Sequence, residues 1–140
     1  MAADNVTIIR RASEAFRRDG IEGIMPFLHE DVEWRNPEES PIAGVWHGHD
    51  GVRAWYAQAS DAFGDMRFSP DEFHEVLDDR VLVLLRFGLR GSASEVDIEV
   101  PFAWVVDLRD GRATSLRMYS DQQKAREAVG LQGWGGPGGG

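Results

Sequence analysis

Between Arg80 and Asp121 the chain carries two long apolar runs, RVLVLLRFGL and EVDIEVPFAWVVDL, followed by the shorter RATSLRMYSD, with turn signals between them. Runs of this length bounded by Asp- and Gly-containing turns predict a three-strand antiparallel meander. In the second run Val96, Ile98, Val100, Phe102, Trp104 and Val106 share one face, whereas Glu95, Asp97 and Glu99 fall on the other. That alternation marks the first set as a core or pocket face. In the first run, from Val81 to Phe87, odd positions are as apolar as even ones, so the sheet's outer face also needs cover. A second subunit is the expected cover, which predicts a homodimer through the outer sheet face.

Composition narrows the function classes. With 140 residues, 42% of them hydrophobic, the chain can build one core and is too short for two ordinary domains. A formal net charge of -9, with a pI near 4.8, argues against nucleic acid or an anionic membrane as partner, since either needs a basic patch to displace counterions. The absence of Cys excludes disulfides and thiolate metal ligands. No run approaches membrane-spanning length and the N-terminus lacks an apolar leader, so a cytoplasmic location is expected.

Taken in order, Asp4 or Asn5 caps a first helix with Val6, Ile9, Ala12/Ser13 and Phe16 on its apolar stripe, ended by Asp19-Gly20. A short second helix from Ile21 to Leu28 is broken by Pro26, which lacks a backbone donor. Val32 to Asn36 alternates as a strand stopped by Pro37, and the Pro- and Gly-rich stretch from Glu38 to Gly48 reads as a loop bordering a cavity mouth. Asp50 is the expected cap of a third helix, Gly51 to Phe63, with Val52, Trp55, Tyr56, Ala59 and Phe63 on its stripe. Met66 to Leu77 is a weaker strand interrupted by Pro70, Asp110-Gly111 marks a tight hairpin, and Asp121 to Val129 closes the chain as a helix. The order predicts an α+β domain over residues 4–131: a cone made of a curved antiparallel sheet covered by three N-terminal helices, with a short C-terminal helix. The Gly-rich segment 132–140 is expected to be a disordered tail.

The segments AFRRDGIEGIMPFLHEDVEW, GVWHGHDGVRAWYAQASDAF and VVDLRDGRATSLRMYSDQQKAREAVGL resemble the NTF2-like (cystatin-like) superfamily in its SnoaL-like branch, related to polyketide cyclases and ketosteroid isomerases. The resemblance runs from about Val6 to Leu131 and implies the cone just described; its chemistry is diverse, because this superfold hosts many unrelated activities. Residue by residue, Asn36 stands where ketosteroid isomerases carry the basic Asp, Ala12 and Ala103 or Phe102 stand at two further catalytic places, and only Tyr56 matches. An amide cannot serve as that base, so that activity is rejected. Against limonene-type epoxide hydrolases Trp34, Asn36 and Arg86 match, but Gly88 and Met118 replace both acids, so no water is activated in that way. The single acid of SnoaL-type cyclases has no clear counterpart on the inward face.

Four polar residues are therefore the catalytic candidates. Arg86 interrupts its strand on the side of Leu82 and Leu84, and is read either as a cation facing the ligand or as a structural ion pair. Asn36 can orient a water or a ligand carbonyl, or simply bond the backbone before Pro37. Tyr56 is a core residue whose hydroxyl can reach a pocket, and His47 at the loop is the candidate general base, since imidazole exchanges protons near neutral pH. Phe16, Trp34, Trp46, Trp55, Phe102, Trp104 and Met118 are the expected lining, suited to a flat apolar ligand. His47 and His49 lack a third ligand at fixed spacing, so no metal is expected, and no nucleotide fingerprint implies a cofactor. The expected function is small-molecule binding in an aromatic cone, with cofactor-independent isomerase, cyclase or hydratase activity; the alternative is a non-catalytic ligand-binding or protein-interaction module.

Overall fold

The computed structural model describes residues 4–37, 40, 42, 44–77, 79–90 and 97–130. The expected 132–140 tail, and Glu95 and Val96 of the meander, lie outside the described residues. Asp4 accepts the Thr7 amide (2.8 Å) and so caps helix α1 (Asn5–Asp19), which ends at Gly20 with φ 73°. Helix α2 (Ile21–Ile24) passes into a 3-10 turn (Met25–Phe27) at Pro26, as the missing donor requires. Strands β1 (Leu28–Arg35) and β2 (Val45–His47) lead into α3 (Gly48–Phe63). The helix starts three residues earlier than expected, with His47 and not Asp50 at its cap position.

Strands β3 (Asp65–Leu77), β4 (Arg80–Arg90), β5 (Asp97–Arg109) and β6 (Arg112–Tyr119) follow, and α4 (Gln122–Ala128) ends the fold. The predicted meander is β4-β5-β6. Its second hairpin turns through Asp110 (φ 52°) and Gly111 (φ 80°), two successive positive φ values of the kind that match the twist of paired strands. The six strands are ordered β2-β1-β6-β5-β4-β3. All pairs are antiparallel except β1 with β6, which run parallel, so the sheet is mixed. Pro70 is accommodated because β3 is an edge strand and its register shifts between Pro70 and Glu72.

The phase of β4 decides the architecture. Val81, Val83 and Leu85 face inward with Phe102, Val106 and Leu108 of β5, under the helices, in the main core. Leu82 and Leu84 face outward with Ala103 and Val105, and there they pack against Ala125 of α4. The outer-face cover predicted to be a second subunit is, over this patch, the chain's own C-terminal helix. Gln122 fastens that helix, its Nε2 donating to the Leu85 and Phe102 carbonyls at 3.3 and 3.0 Å.

Arg80 and Asp107 pair on the outer face at 2.6 Å, with the Ser115 hydroxyl donating to the same carboxylate at 3.1 Å. Burial alone would raise the Asp107 pKa, but the Arg80 hydrogen bond and charge, with Ser115 and Arg117, hold it below the ordinary range of an aspartate. A carboxylate depressed in the folded state stabilises the fold above its unfolded pKa and loses that contribution as pH falls through the lower folded value. Asp107→Asn is therefore expected to lower the urea midpoint at pH 6, and the gap from wild type should shrink below about pH 4. A gap that stayed constant down to pH 2.5 would contradict this assignment.

Candidate functional site

Two adjoining spaces separate the helices from the concave face of the sheet. The deeper one, about 90 Å³, lies under α1 and α2; Phe16, Trp34, Trp55 and Trp104 are among its walls, which also include Ser13. The second is a cleft of about 670 Å³ between α3 and the ends of β4, β5 and β6. Trp55, Phe68 and Met118 line both, so they form the partition between them. Rings pack tightly along this wall: Phe68 stacks on Phe87 with centroids 5.2 Å apart and planes at 15°, and Trp104 tilts against Phe68 at 5.4 Å. Trp34 and Trp55 meet at 5.1 Å.

Asn36 is the one buried polar side chain among the described residues, 6% exposed, and it lines the cleft. Strand β1 ends there because Pro37 cannot extend the ladder. The chain then folds back, the Asn36 amide N–H donating to Gly44 O (3.2 Å) and its Nδ2 to Ile42 O (3.1 Å). A carbonyl partner fixes the amide orientation, leaving Oδ1 as a buried acceptor with no partner among the described residues. The indole Nε1–H groups of Trp34, Trp55 and Trp104 are likewise buried without a partner there.

Among the described residues that line the cleft, only Asp121 is ionisable. Its Oδ1 accepts the Gln123 and Lys124 amides at 2.8 and 3.4 Å, capping α4, which leaves Oδ2 outside the cap. Read from the sequence, Asp121 matches a residue the family often keeps after the last strand and is better explained as a helix cap; the structure adds its place on the cleft wall. Phe68 of β3 and Phe87 of β4 also line the cleft; for Phe68, in a strand that Pro70 makes look weak, the apolar spacing of Met66 and Phe68 is the available signal.

Three of the four catalytic candidates are not in either space. Arg86 lies on the outer face, its side chain half exposed between Asp71 (3.2 Å) and Glu99 (3.4 Å). Those acids raise its pKa, the Asp71 hydrogen bond contributing most, and the residue forms a surface ion-pair row. His47 is exposed at the end of β2, opposite Glu33, because the inward phase of that strand belongs to Trp46. Tyr56 is half-buried, edge-on to Phe16 at 5.8 Å, and lines neither space. Of the expected lining, Phe16, Trp34, Trp55, Phe102, Trp104 and Met118 are in place, whereas Trp46 packs against the core with Gly44 and Gly51 close to it. His49 places Nε2 3.0 Å from Leu28 O, and no group of three or more His, Asp or Glu side chains that could hold a metal occurs among the described residues. Nor is any of their helices long and apolar enough to cross a membrane.

The family model for the SnoaL-like domain matches residues 9–116, from within α1 through strands β1 to β5 and into β6. The chain belongs to the SnoaL-like family. Among solved structures, this SnoaL-like domain is similar to TerC co-crystallised with polyporic acid, at 30% identity and a TM-score of 0.76, over 91% of this chain and 98% of that one. An NTF2-like protein of unknown function from Burkholderia pseudomallei is 26% identical, with a TM-score of 0.75 over 92% of this chain and 99% of that one. A putative polyketide cyclase from Sinorhizobium meliloti, at 18% identity and a TM-score of 0.64 over 81% and 94% of the two chains, shares the fold. No curated protein matches.

Proposed function

We propose that this SnoaL-like domain binds a small, flat, largely apolar molecule in its cone and converts it by proton transfer, as an isomerase, cyclase or hydratase. The observation that carries the reading is the 670 Å³ cleft, with aromatic walls, one buried amide and one carboxylate at its rim. Its size falls in the roughly 300–1,000 Å³ range of small-molecule sites, and few polar groups on apolar walls is their usual construction. Asn36 Oδ1 is an acceptor for a ligand hydroxyl, and Asp121 Oδ2 is the group left to move a proton, the role that sequence reasoning gave to His47. TerC's co-crystallisation with polyporic acid supports a ligand of this general kind.

A second reading, binding without turnover, is favoured by one observation: the only carboxylate among the described lining residues already caps a helix. Tryptophan fluorescence, titrated with polyporic acid and with polyketide, steroid, terpenoid and epoxide compounds, is expected to quench saturably with one class. Asn36→Leu should weaken that binding by about tenfold, the scale of one unmet hydrogen bond. Asp121→Asn keeps a good cap residue and should retain binding while losing turnover. Unchanged turnover in that variant would remove Asp121 from the chemistry, and silence across the whole panel would remove the small-molecule reading itself.

A further inference from the structure

The amide and indole donors around the cleft are already spent. Gln122 directs Nε2 at the Leu85 and Phe102 carbonyls, at 3.3 and 3.0 Å, which fixes the orientation of its amide. Its Oε1 is then the open end: it has no partner among the described residues and, unlike Asn36 Oδ1, is not shut off from solvent. Asn36 likewise turns Nδ2 to Ile42 O, and the Trp55 indole N–H is sealed in the packing. The Gln123 and Lys124 amides, which the first turn of α4 would otherwise offer, are taken by Asp121 Oδ1, and Oδ2 stays outside the cap. No Lys, Arg or His lines the cleft among the described residues; Arg117 and Lys124 line a groove on the outer face instead.

What remains is a carboxylate oxygen and an amide oxygen beside a wall of phenylalanine. Such a lining is the reverse of an oxyanion hole, because an enolate or carboxylate would lose its hydration and meet acceptors. Ser40 and Ser120 can donate, but a neutral hydroxyl brings no counter-charge. A cation fares differently. Ring faces carry the negative side of the aromatic quadrupole and attract ammonium groups. Phe63, Phe68 and Phe102 all stand within 6.0 Å of Phe87, centroid to centroid, so the rings form one connected wall. Phe102 brings that wall to Gln122 itself, since its carbonyl is one of the two that hold the amide. The net charge of -9 adds a long-range field of the favourable sign.

We propose that the ligand of the cleft carries a protonated amine on its flat apolar body, the ammonium N–H donating to Gln122 Oε1 beside the Asp121 carboxylate and the body lying against the phenylalanine wall. The proposal rests on the small-molecule reading above and adds the ligand's charge and the residue that reads it, Gln122.

Three compounds of one skeleton test it: 2-aminoindane, 2-methylindane and indane-2-carboxylate place NH3+, CH3 and COO− on the same carbon at neutral pH. By tryptophan fluorescence, 2-aminoindane is expected to bind at least about tenfold more tightly than either of the others, the scale of one charge-assisted hydrogen bond. Gln122→Lys keeps a donor for the two carbonyls but sets a cation where the acceptor was; it should erase the preference and leave 2-methylindane affinity unchanged. Asp121→Asn, which keeps an oxygen at the rim, should narrow the preference without abolishing binding. Should Gln122→Lys fail to fold, 1H–15N spectra of the unaltered protein decide instead: the Gln122 side-chain NH2 and the Gln123 and Lys124 amides shift with 2-aminoindane and not with 2-methylindane. Equal affinities, a tighter carboxylate, or an amine preference that Gln122→Lys leaves intact would overturn the proposal and leave the small-molecule reading standing. If no indane binds while another panel class quenches the fluorescence, the proposed ligand class is wrong; if nothing binds, both readings fall.

Discussion

Replacing Gly23 with alanine is expected to destabilise the fold by about 1–3 kcal/mol, the usual cost of forcing extra volume into close packing. Helix propensity points the other way, since alanine inside a helix is better than glycine by about 1 kcal/mol. The geometry decides which effect wins. A Cβ at position 23 would press on the Ala15 carbonyl oxygen, with the Ala15 carbonyl carbon at 2.9 Å and Asp19 Cβ at 3.0 Å. These are backbone atoms and the root of a side chain in α1, so no rotamer change relieves them. Helix α2 would have to lift away, carrying the buried Ile24 and Met25 with it. Urea unfolding of Gly23→Ala beside wild type measures the sum. A stability equal to or above wild type would mean that α2 yields easily and that the close approach has little energetic weight.

Leu85→Ala should cost more, about 2–5 kcal/mol, as is typical of large-to-small changes in a closed core. Leu85 is fully buried in a central strand, opposite Phe102 on one side and Pro70 on the other, and it lines neither the deep cavity nor the cleft. The lost contacts therefore have no ligand-facing counterpart. Thermal unfolding should begin roughly 10 °C lower, while affinity for any ligand found in the titrations should persist below the transition. A loss of under about 1 kcal/mol would show that β3 and β5 collapse onto the gap, in conflict with the close packing expected of such interiors.

Much of this fold was legible because its signals are local. Alternation placed Phe102, Trp104 and Val106 on the concave face, Asp110-Gly111 marked the hairpin, and Pro26 broke the second helix where a missing donor must. The errors arose where a local pattern is degenerate. Strand β4 is apolar on both faces, so its phase cannot be decided without knowing what covers each face, and Arg86 was admitted to the cavity on that ambiguity. The cover itself was hidden, because α4 meets the outer face through a residue as small as Ala125. The parallel pairing of β1 with β6 joins segments some eighty residues apart, and no turn signal announces such a partner. At the site, aromatic residues on patterned elements were found. Asp121's place on the cleft wall was not, since a position at the rim of a cleft is a property of three-dimensional placement and leaves no mark beyond a good capping residue.

The docking of α4 on β4 and β5 also bears on the order of events during synthesis. Leu82, Leu84, Ala103 and Val105 all precede residues 122–128, so a chain that has paired its meander before α4 docks shows this aliphatic patch to its surroundings. Exposed hydrophobic sheet surface on a nascent chain is what chaperones hold and what nucleates aggregation. The vulnerable interval closes only when Ala125 has emerged and Gln122 can reach the Leu85 and Phe102 carbonyls. A seven-residue helix thus sets the moment at which the folding chain hides its last aliphatic patch.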